Sequence, residues 1–299
     1  LFLFFISLSS NAQVSSNIDP DFDTKDYLPS LTLFSKDFAL QPDGKIVLVG
    51  NSSSYKLYND KNAVKGNNIL RLNKDLSLDE TFKTGLGFSS APSGLAIQPD
   101  GKILIGGAFT TYDGKPVNKI IRLNADGTLD NTFNLSDKGF NSFTFTIIRS
   151  IKIQPDGKIL IAGVFDVSIY QKFTGRNMLR LNADGTVDKT FQPGSGYPYN
   201  IFKFELQTDG KVVRAYENTF NKETSYRIDR LNSDGTLDSG FTAIEGFGGI
   251  CSNNTVGYDS MYDCKLGIQK DGKILFGGCY STFKYIGTSG FMRFNTDGY

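Results

Sequence analysis

Histidine and tryptophan are both missing from the 299 residues, and cysteine occurs only three times. Without histidine the chain has no Ser-His-Asp or Cys-His nucleophile system, no imidazole proton shuttle and no His-ligated metal site. Cys251, Cys264 and Cys279 form no Cys-x-x-Cys, which sets aside a zinc ribbon or a redox dithiol. An excess of one charge is lacking too: 32 Lys plus Arg against 31 Asp plus Glu leave a formal +1. That near balance removes the electrostatic case for nucleic acid or an anionic membrane as a partner. No apolar run is long enough to cross a bilayer, which takes about 20 residues. The opening run, Leu1 to Leu8, is far shorter.

What the chain does have is Gly (32 residues) and an aromatic content of 13% supplied by Phe and Tyr alone. This mixture suits many short strands joined by tight turns. The opening run matches the apolar core of a secretory signal whose basic start is missing, so residues 1–12 read as a truncated signal peptide. Small residues stand at Ser10 and Ala12 before Gln13, as at an A-x-A-like cleavage site. The alternative is a first buried strand, against which the polar stretch Ser9 to Ser16 speaks.

Self-comparison is the most informative operation. Five segments read apolar-x-apolar-Gln-x-Asp-Gly-Lys followed by apolar or small residues, starting at Phe38, Leu95, Ile151, Phe204 and Leu266. Their glutamines, Gln41, Gln98, Gln154, Gln207 and Gln269, recur every 53–62 residues. In phase with them runs Arg-apolar-Asn, at Arg71, Arg122, Arg180, Arg230 and Arg293. This second motif continues as Asp-Gly-Thr-Leu-Asp-x-x-Phe, clearest from Asp126 to Phe133 and from Asp234 to Phe241. Asp-Gly between apolar runs is the strongest short hairpin signal, and nine of the ten Asp-Gly pairs lie in these repeats. Each unit therefore reads as four short antiparallel strands in about 55 residues, the blade of a β-propeller. The expected fold is all-β, with repeats over residues 38–299. A β-solenoid is the structural rival.

Residues 13–37 read as an N-terminal segment. Ile18-Asp19-Pro20-Asp21-Phe22 carries the Asp-x-x-Phe spacing of a closing strand, so residues 18–22 are expected to complete a final blade. The sequence ends at Tyr299 in mid-pattern, which reads as a fragment of a longer ring.

The run Ile97 to Phe109, followed by Arg122 to Phe133, resembles the delta-60 repeat, a propeller-like family of uncharacterised function in large secreted bacterial proteins. The resemblance covers residues 38–299 and implies a β-propeller with no catalytic residues to carry over. The signal ending Ser-Asn-Ala-Gln is similar to those of Bacteroidetes exported proteins, members of which often carry a type IX sorting domain. A secreted or cell-surface location follows from the same likeness.

A side chain repeated in every unit is more simply architecture than an active site. Arg71, Arg122, Arg180, Arg230 and Arg293 are expected to pair with the aspartates of the Asp-x-x-Phe strand, Asp79, Asp130, Asp188 and Asp238. Phe82, Phe133, Phe191 and Phe241 are expected to fill the space between blades. Asn124, Asp126 and Asp130, with their counterparts, could also suggest calcium loops. Calcium wants six to eight oxygens, and the same residues serve a hairpin turn. No other cofactor or metal is implied. Cys251 and Cys264 either staple the connection Ala243 to Asp263 or stay free, while Cys279 replaces Ala108 as a small buried residue.

Unit four departs from its sisters. Arg214 stands where Ile105 and Ile161 stand, Tyr216 where Gly107 and Gly163 stand, and Glu205 where Ala39, Ala96 and Gly267 stand. Glu205, Arg214, Tyr216 and Glu217 could line a polar ligand pocket. Alternatively Arg214 neutralises Glu205 or Glu217 within a drifted repeat. The connections between strands vary in length and carry Tyr55, Tyr58, Tyr112, Tyr170, Phe173, Tyr197, Tyr199 and Tyr285, aromatics suited to stacking on sugars or anchoring proteins. The reading that results is a monomeric binding module for a polysaccharide or surface protein. The alternatives are a lyase or glycoside hydrolase using Glu205 with Glu217, and a passive spacer.

Overall fold

The computed structural model describes residues 34–51, 54–55, 64–65, 67–133, 144–166, 168–169, 173–174, 177–193, 201–220, 223–248, 265–278, 282–284, 286–287 and 290–299. Segments 1–12 and 18–22, and all three cysteines, lie outside them.

Among the described residues every regular element is a strand and every strand pair is antiparallel. Each unit contributes a first, second and third strand. In unit two these are Pro92–Ile97, Ile103–Gly107 and Ile120–Leu123, in the order first-second-third. The first hairpin turns at Asp-Gly because Gly101 sits at φ +83°, a conformation open to Gly at no steric cost. Asp100 accepts from the Lys102 amide and closes the turn.

The fourth strand is reduced to a single bridge, Leu123 opposite Leu129 in unit two, and three further units repeat it. Its shortness has a local cause. The Asp130 carboxylate accepts from the Thr132 amide and hydroxyl, a side-chain turn that ends the pairing and swings Phe133 inward. Unit four alone forms a four-stranded sheet, using Ile244–Glu245 as the fourth strand.

The first strands of consecutive units pack against one another in order, so the sheets fan out from them. Four apolar clusters fill the gaps; one joins Leu104, Ile120 and Phe133 of unit two to Ile151, Ile159 and Ile161 of unit three. Antiparallel order places the Asp-Gly turns of the repeat motifs at one end of the array. The connections between second and third strands, and those between units, lie at the other. One end is thus constant and the other variable.

A second repeated feature is a β-bulge in the first strand. Register shifts fall at Lys36, Ser93, Arg149 and Phe202, two residues before each motif start in units one to four. Bulges bend a strand and re-aim the next side chain. The next residues here are Asp37, Gly94, Ser150 and Lys203.

Candidate functional site

The repeated polar residues meet in a clasp that joins each unit to the next. In unit two, Arg122 on the third strand donates from Nε to Asp130 at 2.7 Å and from Nη2 to the Thr132 hydroxyl at 3.1 Å. Its Nη1 reaches the Gln98 side-chain oxygen at 3.5 Å and the Ala183 carbonyl, in unit three, at 2.8 Å. The guanidinium lies 4.8 Å from the centre of the Phe133 ring, and Lys102 approaches Asp130 at 3.1 Å. Arg180 repeats the set with Asp188, Gln154 and the Ser233 carbonyl, and Arg230 with Asp238, Gln207 and the Thr296 carbonyl. Arg71 does so with Asp79, Gln41 and the Ala125 carbonyl.

Burial raises the pKa of each of these aspartates, but bonds from Lys, Thr or Gly and Arg outweigh it. Asp79, Asp130 and Asp188 are held well below the usual carboxylate range, and Asp238 is lowered to about 2. Arg293 occupies the equivalent place opposite Leu275 and is exposed, and the buried Oε1 of Gln269 has no hydrogen-bond partner among the described residues.

Backbone and ring contacts complete the clasp. The Lys83 amide donates to the Asp126 carbonyl of the next unit, Gln192 to Asp234, and Thr242 to Asp297. The preceding Phe packs on the glycine of that turn. A Cβ at Gly127 would meet the Phe82 ring at 3.0 Å, and one at Gly185 would meet Phe133 at 2.9 Å. The second Asp-Gly is therefore needed twice, for positive φ and for the close approach of the neighbouring ring. Unit one has Leu76 at this place, at φ 67°.

Asp126 accepts from the Thr128 amide and hydroxyl, and Asn124 donates to the same hydroxyl. These oxygens close the turn. Among the described residues no group of three or more His, Cys, Asp or Glu is placed to hold a metal ion.

In unit four the odd side chains form one buried cluster. Arg214 donates to Asp229 through Nε at 2.6 Å and Nη2 at 3.0 Å, and the Tyr216 hydroxyl donates to Asp229 at 3.0 Å. All three residues are 2% exposed. Burial, with the Asp229 carboxylate beside it, pushes the Tyr216 hydroxyl far up. Arg214 and Asp229 are directly paired across the sheet, where sister units pair Leu48 with Leu70, Ile105 with Ile121 and Ile161 with Leu179. Sequence reading missed Asp229; a comparison by facing column rather than by motif would have found it.

Glu205 lies apart from this cluster and pairs with Lys152 of unit three at 2.6 Å. Glu217 sits opposite Tyr226, and its side chain lies outside the described residues. Of the loop aromatics, Tyr112 is a core residue. It is 1% exposed, stacks 4.7 Å from Phe88 and donates to the Gly127 carbonyl at 2.6 Å. Tyr55 and Phe173 fall in described strands without described side chains, and the other five lie outside the described residues.

Past the bulges, the first strands gather charge. Lys203 is half-buried, and its ammonium makes no hydrogen bond or ion pair among the described residues. Burial lowers its pKa; Asp37 and Glu205 oppose that shift, and Lys265 and Lys152 add to it. Units one, three, four and five thus all act on one ammonium.

The family model described as domain of unknown function (DUF5122) beta-propeller matches residues 41–82, 98–133, 154–191, 207–241 and 269–298. The chain belongs to this family. The first four matches each begin at the clasp glutamine and end at the clasp phenylalanine, so each spans one clasp. It agrees with the delta-60 repeat resemblance. No curated protein sequence matches the chain.

Among solved structures, an endo-arabinase from Bacteroides thetaiotaomicron is 14% identical at a TM-score of 0.39, with 91% of this chain and 98% of that one covered. A glycoside hydrolase is 15% identical at 0.41, with 91% and 63% covered. The extracellular domain of a protein assigned as a hybrid two-component system from B. thetaiotaomicron is 12% identical at 0.34. There 81% of this chain is covered, but only 32% of the other. The family assignment rests on the repeats, not on these structures. Among the described residues no helix is long and apolar enough to cross a membrane.

Proposed function

We propose that this DUF5122 propeller is an exported, monomeric binding module for a polysaccharide or a surface protein, met by the variable end of the array without a cofactor. The observation that carries this reading is the division of labour between the ends. Every clasp residue serves the joining of units, while the connections at the other end carry none of the motif and differ from unit to unit. Units one, two, three and five each fold a small hairpin into connections of different length, Thr111–Tyr112 with Lys115–Pro116 in unit two. Unit four instead extends its second and third strands to Phe220 and Glu223. Variable loops on a fixed scaffold are a common site of specificity.

Register weighs against a glycoside hydrolase built on Glu205 and Glu217. Glu205 faces Val213, and Glu217 is four residues further along that strand, about 13 Å at the strand rise. Retaining and inverting sites hold their carboxyl groups roughly 5–10 Å apart.

The test is a set of chimeras in which the unit-two connection, residues 108–118, replaces residues 52–66 and 167–176. Wild type is expected to bind members of a surface-polysaccharide array, and the chimeras to lose that binding with unchanged far-UV circular dichroism. Chimeras that bind as wild type does would overturn the reading. Turnover of a bound polysaccharide that disappears in E205Q would favour the hydrolase.

A further inference from the structure

Next to the bulges, on first strands that pack side by side, lies a charged mouth. At one level stand Asp37, Gly94, Ser150, Lys203 and Lys265, each directly before its motif start. Within two residues on either side lie Lys36, Arg149, Lys152 and Glu205. These nine positions carry five cationic side chains against two carboxylates, in a chain whose net charge is only +1.

Both carboxylates are already engaged. Asp37 accepts from the Leu95 amide of unit two at 3.0 Å and from the Phe38 amide at 3.1 Å, and Glu205 holds Lys152. Lys203 and Lys265 are left with no ion pair among the described residues. Unit two adds no side chain at this level, and a Cβ at Gly94 would press on the Arg149 carbonyl at 3.2 Å. A half-buried ammonium such as that of Lys203, with opposite charges nearby but no ion pair, costs stability, and such a cost is commonly retained for function.

We infer that this mouth, around Lys203 and Lys265, is a binding site for the carboxylate of an acidic saccharide, a uronate being the class it fits. The inference rests on the binding-module reading above and gives its ligand a charge. A planar carboxylate between two ammonium groups supplies the ion-pair partner that neither lysine has among the described residues. Desolvation in the recess strengthens the pairing relative to the open surface.

The experiment is titration calorimetry of the full chain with trigalacturonate, with neutral maltotriose and with triglutamate, at about 50 and 300 mM salt. Wild type is expected to bind trigalacturonate, more weakly at high salt, and not maltotriose. K203Q should weaken binding at least tenfold while melting at or above the wild-type temperature, because it removes an unpaired charge. K265Q serves as the second variant should K203Q fail to fold. K74Q, which removes one charge at the constant end, should bind as wild type does. Equal losses in K203Q and K74Q would mean diffuse attraction and overturn the site, as would triglutamate binding as well as trigalacturonate. Binding of neutral saccharides alone, independent of Lys203, would overturn the site and leave the binding-module reading standing.

Discussion

Removing both charges of the Arg214–Asp229 pair should leave the protein as stable as it is, whereas removing either one should cripple it. The pair is 2% exposed on both sides and bidentate. D229A would remove the carboxylate that the buried Arg214 guanidinium and the Tyr216 hydroxyl share. Breaking a buried pair costs about 3–5 kcal/mol, and a lost neutral hydrogen bond adds about 1 kcal/mol. The triple variant R214I/D229I/Y216F rebuilds the apolar facing pair seen at Ile105 and Ile121. Well-packed apolar replacements of buried ion pairs are neutral to about 4 kcal/mol stabilising. Stability is read by guanidinium denaturation followed by circular dichroism and tyrosine fluorescence, since the chain has no Trp. On a Y216F background, the single and double variants form a cycle whose coupling should exceed about 2 kcal/mol. Losses for R214I and D229I that simply add, to within about 0.5 kcal/mol, would refute the idea that these charges were acquired as a unit.

The clasp aspartates predict an acid transition. Their folded pKa values are depressed, with Asp238 at about 2, against about 3.9 unfolded. The stability they add is complete above about pH 4 and lost as pH falls towards 2, so midpoints measured across that window should drop steeply; a flat profile would contradict the clasp. Two glycines separate backbone strain from packing: G157A, at φ +82° with its nearest neighbour 3.9 Å away, should cost about 1–2 kcal/mol. G185A, at φ +90° against Phe133 at 2.9 Å, should cost clearly more, and equal losses would remove the ring from the argument. Y112F should lose about 1 kcal/mol through its bond to Gly127, measurable as a shifted denaturation midpoint with unchanged glycan binding.

The clasp was half legible in the sequence because two of its causes are local. Arg122 and Asp130 stand eight residues apart across one hairpin, a separation any antiparallel turn brings together. The inter-unit half was invisible, since Arg122 ends on the Ala183 carbonyl and a backbone acceptor leaves no trace in residue identity. The glutamine was conspicuous as a repeat but unexplained until its oxygen was found on Arg122 Nη1. Asp229 went unnoticed for a different reason: it belongs to the third strand, outside the motif, and its tie to Arg214 runs through register rather than spacing. The bulges were hidden more deeply, because their positions carry Lys36, Ser93, Arg149 and Phe202, two cations with a hydroxyl and a phenyl ring, which make no repeated motif. A backbone device held by the packing of neighbouring first strands needs no particular side chain. Selection at such positions is free to act on what the side chain presents to the mouth. That is where charges of units one, three, four and five collect around one ammonium.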